Sequence, residues 1–163
     1  MGHSICGLVI AQPFDTARAN AYDLIARVSV DGVVVFPIDH YWSAYWQARL
    51  AIDGLLDLPD GVPIVFPSEA VVCEVVGEIT RVATQRFAVI MTEYFGGVGE
   101  QWAVVFEGRS RIGELRTINS ALAELGLACQ DTRDQFDTLG LGDFRHNPRY
   151  LDRYRDLCNE IGA

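Results

Sequence analysis

Three imidazoles, His3, His40 and His146, and the acid pair Glu93 and Glu100 are the side chains with the most scope for proton transfer in this sequence. His40 is the best placed of the imidazoles. It follows Asp39 and opens a run of aromatic residues that would exclude water from it. Asp39 has a simpler use as a helix N-cap, since neighbouring positions at a helix start point in different directions. Glu93 and Glu100 flank Gly96-Gly97-Val98-Gly99 and would face each other across a hairpin as a general acid and base if the register brings them opposite. Solvated carboxylates at strand ends are the plainer reading of the same pair.

Other chemistries find less support. The glycine segment runs into Gln101-Trp102-Ala103-Val104-Val105-Phe106, a strand pattern, whereas a phosphate-binding loop opens a helix. A hairpin connection is therefore expected there. Five residues precede Cys6, so unless they are removed it lacks the free α-amino group of an N-terminal cysteine nucleophile, and a packed strand cysteine is expected. No H-x-x-x-H, H-E-x-x-H or C-x-x-C spacing occurs, and no G-x-S-x-G elbow accompanies the serines. Neither a metal nor a cofactor is called for, and no catalytic residue is assigned.

Composition narrows the field further. The 163 residues carry 22 acids against 13 bases, a net charge of −9, and every base is arginine. Without lysine there is no Schiff-base or P-loop lysine. The negative field repels phosphate backbones, so a nucleic-acid partner is not expected, and either a basic protein partner or plain solubility fits better. The four cysteines, Cys6, Cys73, Cys129 and Cys158, are widely spaced and are expected to be reduced. Apolar runs such as Val33 to Ile38 fall far short of the roughly 20 residues of a membrane helix, and a cytoplasmic protein is expected.

The elements that would position these groups form one α+β domain over 1–163, with a mixed or mainly antiparallel sheet and helices packed on it. Ile5 to Ala11 reads as a strand, and a helix follows from Asp15. Val28 to Phe36 reads as a hairpin turning at Asp31-Gly32. Asp39 caps a helix from His40 to Ile52. Val62 to Phe66 reads as a strand, and Ser68 caps a helix that turns Val72, Val75, Val76 and Ile79 inward. Arg86 to Tyr94 and Gln101 to Glu107 form the glycine hairpin, whose loop is expected to hold a positive φ, with Phe95 or Trp102 packed inward and Glu100 near solvent. Leu115, Ile118, Leu122 and Leu125 keep helical spacing up to Gly126. Asp131 to Gly142 reads as a loop, and Asn147-Pro148 opens a last helix whose stripe is Tyr150, Leu151, Tyr154, Leu157, Cys158 and Ile161.

Tyr41, Trp42, Tyr45 and Trp46 are too many large rings for one helix face to bury alone, so some are expected at the surface, in a recognition site or a homo-oligomer contact, and a core helix with hydrogen-bonded tyrosines is the equal alternative. Three blocks carry a resemblance: Asp39 to Gln47, Tyr94 to Ala103, and Phe136 to Leu141. They resemble those of a family of small bacterial cytoplasmic proteins associated with the immunity proteins of toxin systems. The resemblance implies direct binding of a cognate toxin and carries over no residue role; from their own chemistry Tyr41, Trp42, Tyr45, Trp46, Glu93 and Glu100 are the expected partner-binding residues. The alternative is a small enzyme or ligand-binding protein whose site gathers His40, Glu93, Glu100 and the glycine loop.

Overall fold

Runs of β-branched and aromatic residues at 3–11, 33–37, 86–95 and 98–107 pair into one antiparallel sheet, seen in a computed structural model that describes residues 2–163. Its strands are β1 (His3–Ala11), β2 (Val28–Val30), β3 (Val33–Pro37), β4 (Arg86–Phe95), β5 (Val98–Glu107) and β6 (Ser110–Arg111). The spatial order is β2-β3-β1-β4-β5-β6. The helices are α1 (Thr16–Ala21), α2 (His40–Arg49), α3 (Val71–Thr80), α4 (Ile118–Glu124), α5 (Gln135–Thr138) and α6 (Arg153–Ile161). The class is α+β, as expected.

Both sheet faces are covered, so the central strands are apolar at consecutive positions. Leu8, Ile10, Phe36, Val89 and Phe106 face a core shared with α1, α2, α3 and α6. Val9, Val35, Ile90, Ala103 and Val105 face the opposite core, closed by α4 and the segment around α5. Both tight hairpins use two residues at positive φ, Asp31-Gly32 (49° and 80°) and Gly96-Gly97 (60° and 79°), which matches the twist of the flanking strands.

β3 ends opposite Gly7 and turns away into α2, leaving the first half of β1 without a neighbour on that side. Residues 145–147 fill the gap. The Ser4 amide donates to the Arg145 carbonyl (2.8 Å), and the Cys6 amide donates to Asn147 Oδ1 (3.1 Å). Asn147 Nδ2 in turn donates to the Ile38 carbonyl (2.9 Å), tying the same side chain to the chain leaving β3.

Several expectations are corrected. Val62 to Phe66 is not a strand: Pro63 and Pro67 remove amide donors, the Phe66 amide closes a turn on Pro63, and Ile64 is 99% exposed. Ser68 does not cap α3, which starts at Val71, whose amide donates to Gln47 Oε1 of α2 (2.8 Å). α2 ends at Arg49, and Leu115 precedes α4, which Thr117 caps. The 131–142 segment is more than a loop, because Asp134 caps α5. Ile161 is 46% exposed and leaves the inward stripe of α6. Among the described residues no helix is long and apolar enough to cross a membrane.

Candidate functional site

At the end of the sheet where β1 begins, the β4–β5 hairpin runs on past the strands beside it. Register places Glu93 opposite Glu100 and Phe95 opposite Val98. The tip beyond is the Gly96-Gly97 turn. Phe95 is 80% and Val98 79% exposed, so the hairpin carries two apolar side chains into solvent with two carboxylates behind them. Glu100 is exposed, and Trp102 packs on the core shared with the helices, while Phe95 does not.

Strand alternation sends Glu93 to the same sheet face as Met91 and Cys6, and there it helps line an open groove of about 360 Å³. Ser4, Asp39, His40, Val65, His146 and Asp152 are among the other residues of its walls. Ser4 Oγ donates to Glu93 Oε2 at 2.9 Å. Asp39 is the α2 N-cap: its Oδ1 accepts the Trp42 amide at 2.7 Å, and its backbone is extended as a cap requires. Burial holds the Asp39 carboxyl above the ordinary aspartate range, against the pull of the Trp42 amide and the neighbouring His40. Asp39, Glu93 and Asp152 supply three carboxylates to the groove and no arginine lines it, so its field is negative.

The groove has little of what covalent catalysis needs. Burial, followed by the nearby Asp39 charge, pushes the Cys6 thiol far above the range in which a thiolate forms. His40 lies against Tyr41 with ring centroids 4.0 Å apart, and the only side-chain partner of Glu93 among the described residues is Ser4. Among the described residues no three His, Cys, Asp or Glu side chains gather closely enough to hold a metal ion.

The residues singled out in the sequence are therefore divided. His40 and Glu93 reach one groove, Glu100 stands beside Glu93 on the same hairpin face, and the glycine turn lies outside the groove. The aromatic helix is chiefly a core element. Trp42 is wholly buried and its Nε1 donates to the Tyr22 carbonyl at 2.7 Å, which removes it from any partner surface and corrects its expected role. Trp46 packs edge-on to Tyr22 and donates to the Tyr154 hydroxyl (3.2 Å), and Tyr45 packs edge-on to Tyr154. Tyr41, Tyr45 and Trp46 are each partly buried, because α6 covers the face that would otherwise be open. His146 was named from sequence only as one of three imidazoles, and Asp152 and Val65 were not singled out. Their place follows from long-range docking of the 145–152 and 62–67 segments, which no local pattern reports.

No protein-family model matches the chain, and no curated protein or solved structure is significantly similar to it.

Proposed function

We propose that this protein is a binding module that holds a basic protein partner, in the manner of an immunity protein holding its toxin. The observation that carries the reading is the negative groove with exposed apolar side chains at its margins. Phe95 and Val98 project from the hairpin that supplies Glu93, and Ile64 is exposed next to the groove residue Val65. Exposed apolar anchors beside unpaired acids are the composition of a recognition surface: the acids steer a basic partner in, and the anchors are buried on contact. The overall charge of −9 acts in the same sense. Glu93 and Glu100 are its charged contacts, Tyr41, Tyr45 and Trp46 support the fold beneath, and Trp42 belongs to the core.

The test is a titration of the purified chain against the basic product of a neighbouring gene. The expected result is saturable binding whose association rate falls with salt. Phe95→Asp and Glu93→Arg should each weaken it by about tenfold or more. Binding of unchanged strength in both variants overturns the surface, and a neighbouring product that does not bind overturns the toxin-neutralising role.

A small enzyme built on His40, Glu93 and Glu100 is the second reading, and it gains from His40 and Glu93 lining one groove. It lacks an activated nucleophile, since the Cys6 thiol is held protonated and Ser4 faces a carboxylate without an imidazole partner.

A further inference from the structure

On the opposite face of the sheet, strand alternation places His3, Thr92 and Tyr94 along a separate cavity of about 340 Å³. Phe136 forms another wall, and Gln101, Asn119, Asp134 and Arg145 are among the other lining residues. His3 is buried and both its nitrogens are occupied. The Leu141 carbonyl can only accept, so Nε2 carries a proton toward it (3.1 Å), while Nδ1 meets Thr92 Oγ1 at 2.7 Å. Thr92 Oγ1 also accepts the Ile5 amide (3.2 Å), so the residue that holds one edge of the His3 ring is itself tied to β1. The ring's edges are thus spent within the protein. What remains for a ligand is ring surface, with Phe136 at 5.9 Å and Tyr94 at 6.5 Å between centroids.

Two opposite charges line the same cavity without pairing. Arg145 makes no side-chain hydrogen bond or ion pair among the described residues, although its carbonyl is held by the Ser4 amide. Asp134 accepts one bond on each oxygen, from the Asp137 amide (2.9 Å) and from Asn119 Nδ2 (3.0 Å), which fixes its carboxylate and leaves a lone pair on each oxygen. An aromatic floor and walls with one fixed anion and one unpaired cation complement a small zwitterion. We propose that this cavity binds a free amino acid with an aromatic side chain, its ring against Tyr94, Phe136 and His3, its carboxylate on Arg145 and its ammonium on Asp134. The site is independent of the groove on the other face.

Titration of the intact protein with L-phenylalanine, phenethylamine and 3-phenylpropanoate, followed by NMR of the His3 and Thr92 signals, tests the assignment. L-phenylalanine should bind most tightly, and loss of either charge should cost about tenfold or more. Arg145→Gln, at an exposed position, should bring L-phenylalanine down to phenethylamine. Asp134→Asn, which keeps an N-cap for α5, should bring it down to 3-phenylpropanoate. Equal affinity for the three probes, tightest binding of 3-phenylpropanoate, or no saturable shift with any of them overturns the proposal.

Discussion

Glu93 and Glu100 stand directly opposite each other across β4 and β5, so two carboxylates share one cross-strand site. Like charges so placed are destabilising, and a fold alone has no use for them. Glu100→Gln is therefore expected to raise stability by about 0.2–1 kcal/mol, read as a higher urea midpoint at unchanged slope. The same variant should bind the basic partner more weakly. A variant that gains stability and loses no affinity would remove Glu100 from the recognition surface.

The hairpin turn makes a second demand. Gly97 lies at φ 79°, where a side chain is strained, and Gly97→Ala should lower stability by about 1 kcal/mol. Gly99 answers to a different constraint: a Cβ there would fall 1.9 Å from the Glu93 carbonyl oxygen and 2.6 Å from Tyr94 Cα. Gly99→Ala should be the more damaging of the two in thermal melts, and it should shift the Glu93 and Tyr94 amide signals. Equal melting points for the two variants would contradict the close approach.

Asp39 sets a pH dependence. Because burial raises its pKa in the fold, the ionised form is the one the fold disfavours. That penalty is absent at low pH, where the group is protonated folded and unfolded, and is complete once the pH passes the folded-state pKa. Asp39→Asn keeps an oxygen for the Trp42 amide and removes the charge, so it should be at least as stable as the parent at pH 7. The difference should shrink as the pH falls toward the ordinary aspartate range. Asp39→Ala loses the cap as well and should cost about 1 kcal/mol. Urea titrations between pH 4 and 7 check the order, which fails if the asparagine variant is the less stable at pH 7.

Trp42 separates core from surface. Its ring is wholly buried and its Nε1 is bonded to Tyr22, so Trp42→Ala should cost about 3–5 kcal/mol. Calorimetry should show the loss with no partner present. A variant that melts like the parent and only fails to bind would return Trp42 to the interface.

Much of the fold was legible because its signals are local. Alternation and apolar runs mark β1, β3, β4 and β5, the two glycine-bearing turns mark their hairpins, and Asp15 and Asp39 mark helix starts by side-chain capping. Val62 to Phe66 misled because composition favours a strand while Pro63 within it and Pro67 after it forbid the ladder. α3 misled at its start because its cap comes from Gln47, on another helix. The pairing of Glu93 with Glu100 was legible from hairpin symmetry. The companions of Glu93 in the groove were not, since His146 and Asp152 lie more than fifty residues away and arrive by docking, and the burial of Trp42 depends on Tyr22 and α6 in the same way.

The patch that residues 145–147 place on β1 also governs the order of events during synthesis. The Cys6 amide finds its partner 141 residues later, in Asn147. At roughly 5–20 residues per second, a ribosome leaves that strand edge waiting for roughly seven to thirty seconds. Through that interval the nascent chain presents an unclosed edge able to pair with another copy. Chaperone dependence and losses to aggregation should therefore track how promptly the segment at Asn147 emerges, more than the stability of the finished fold.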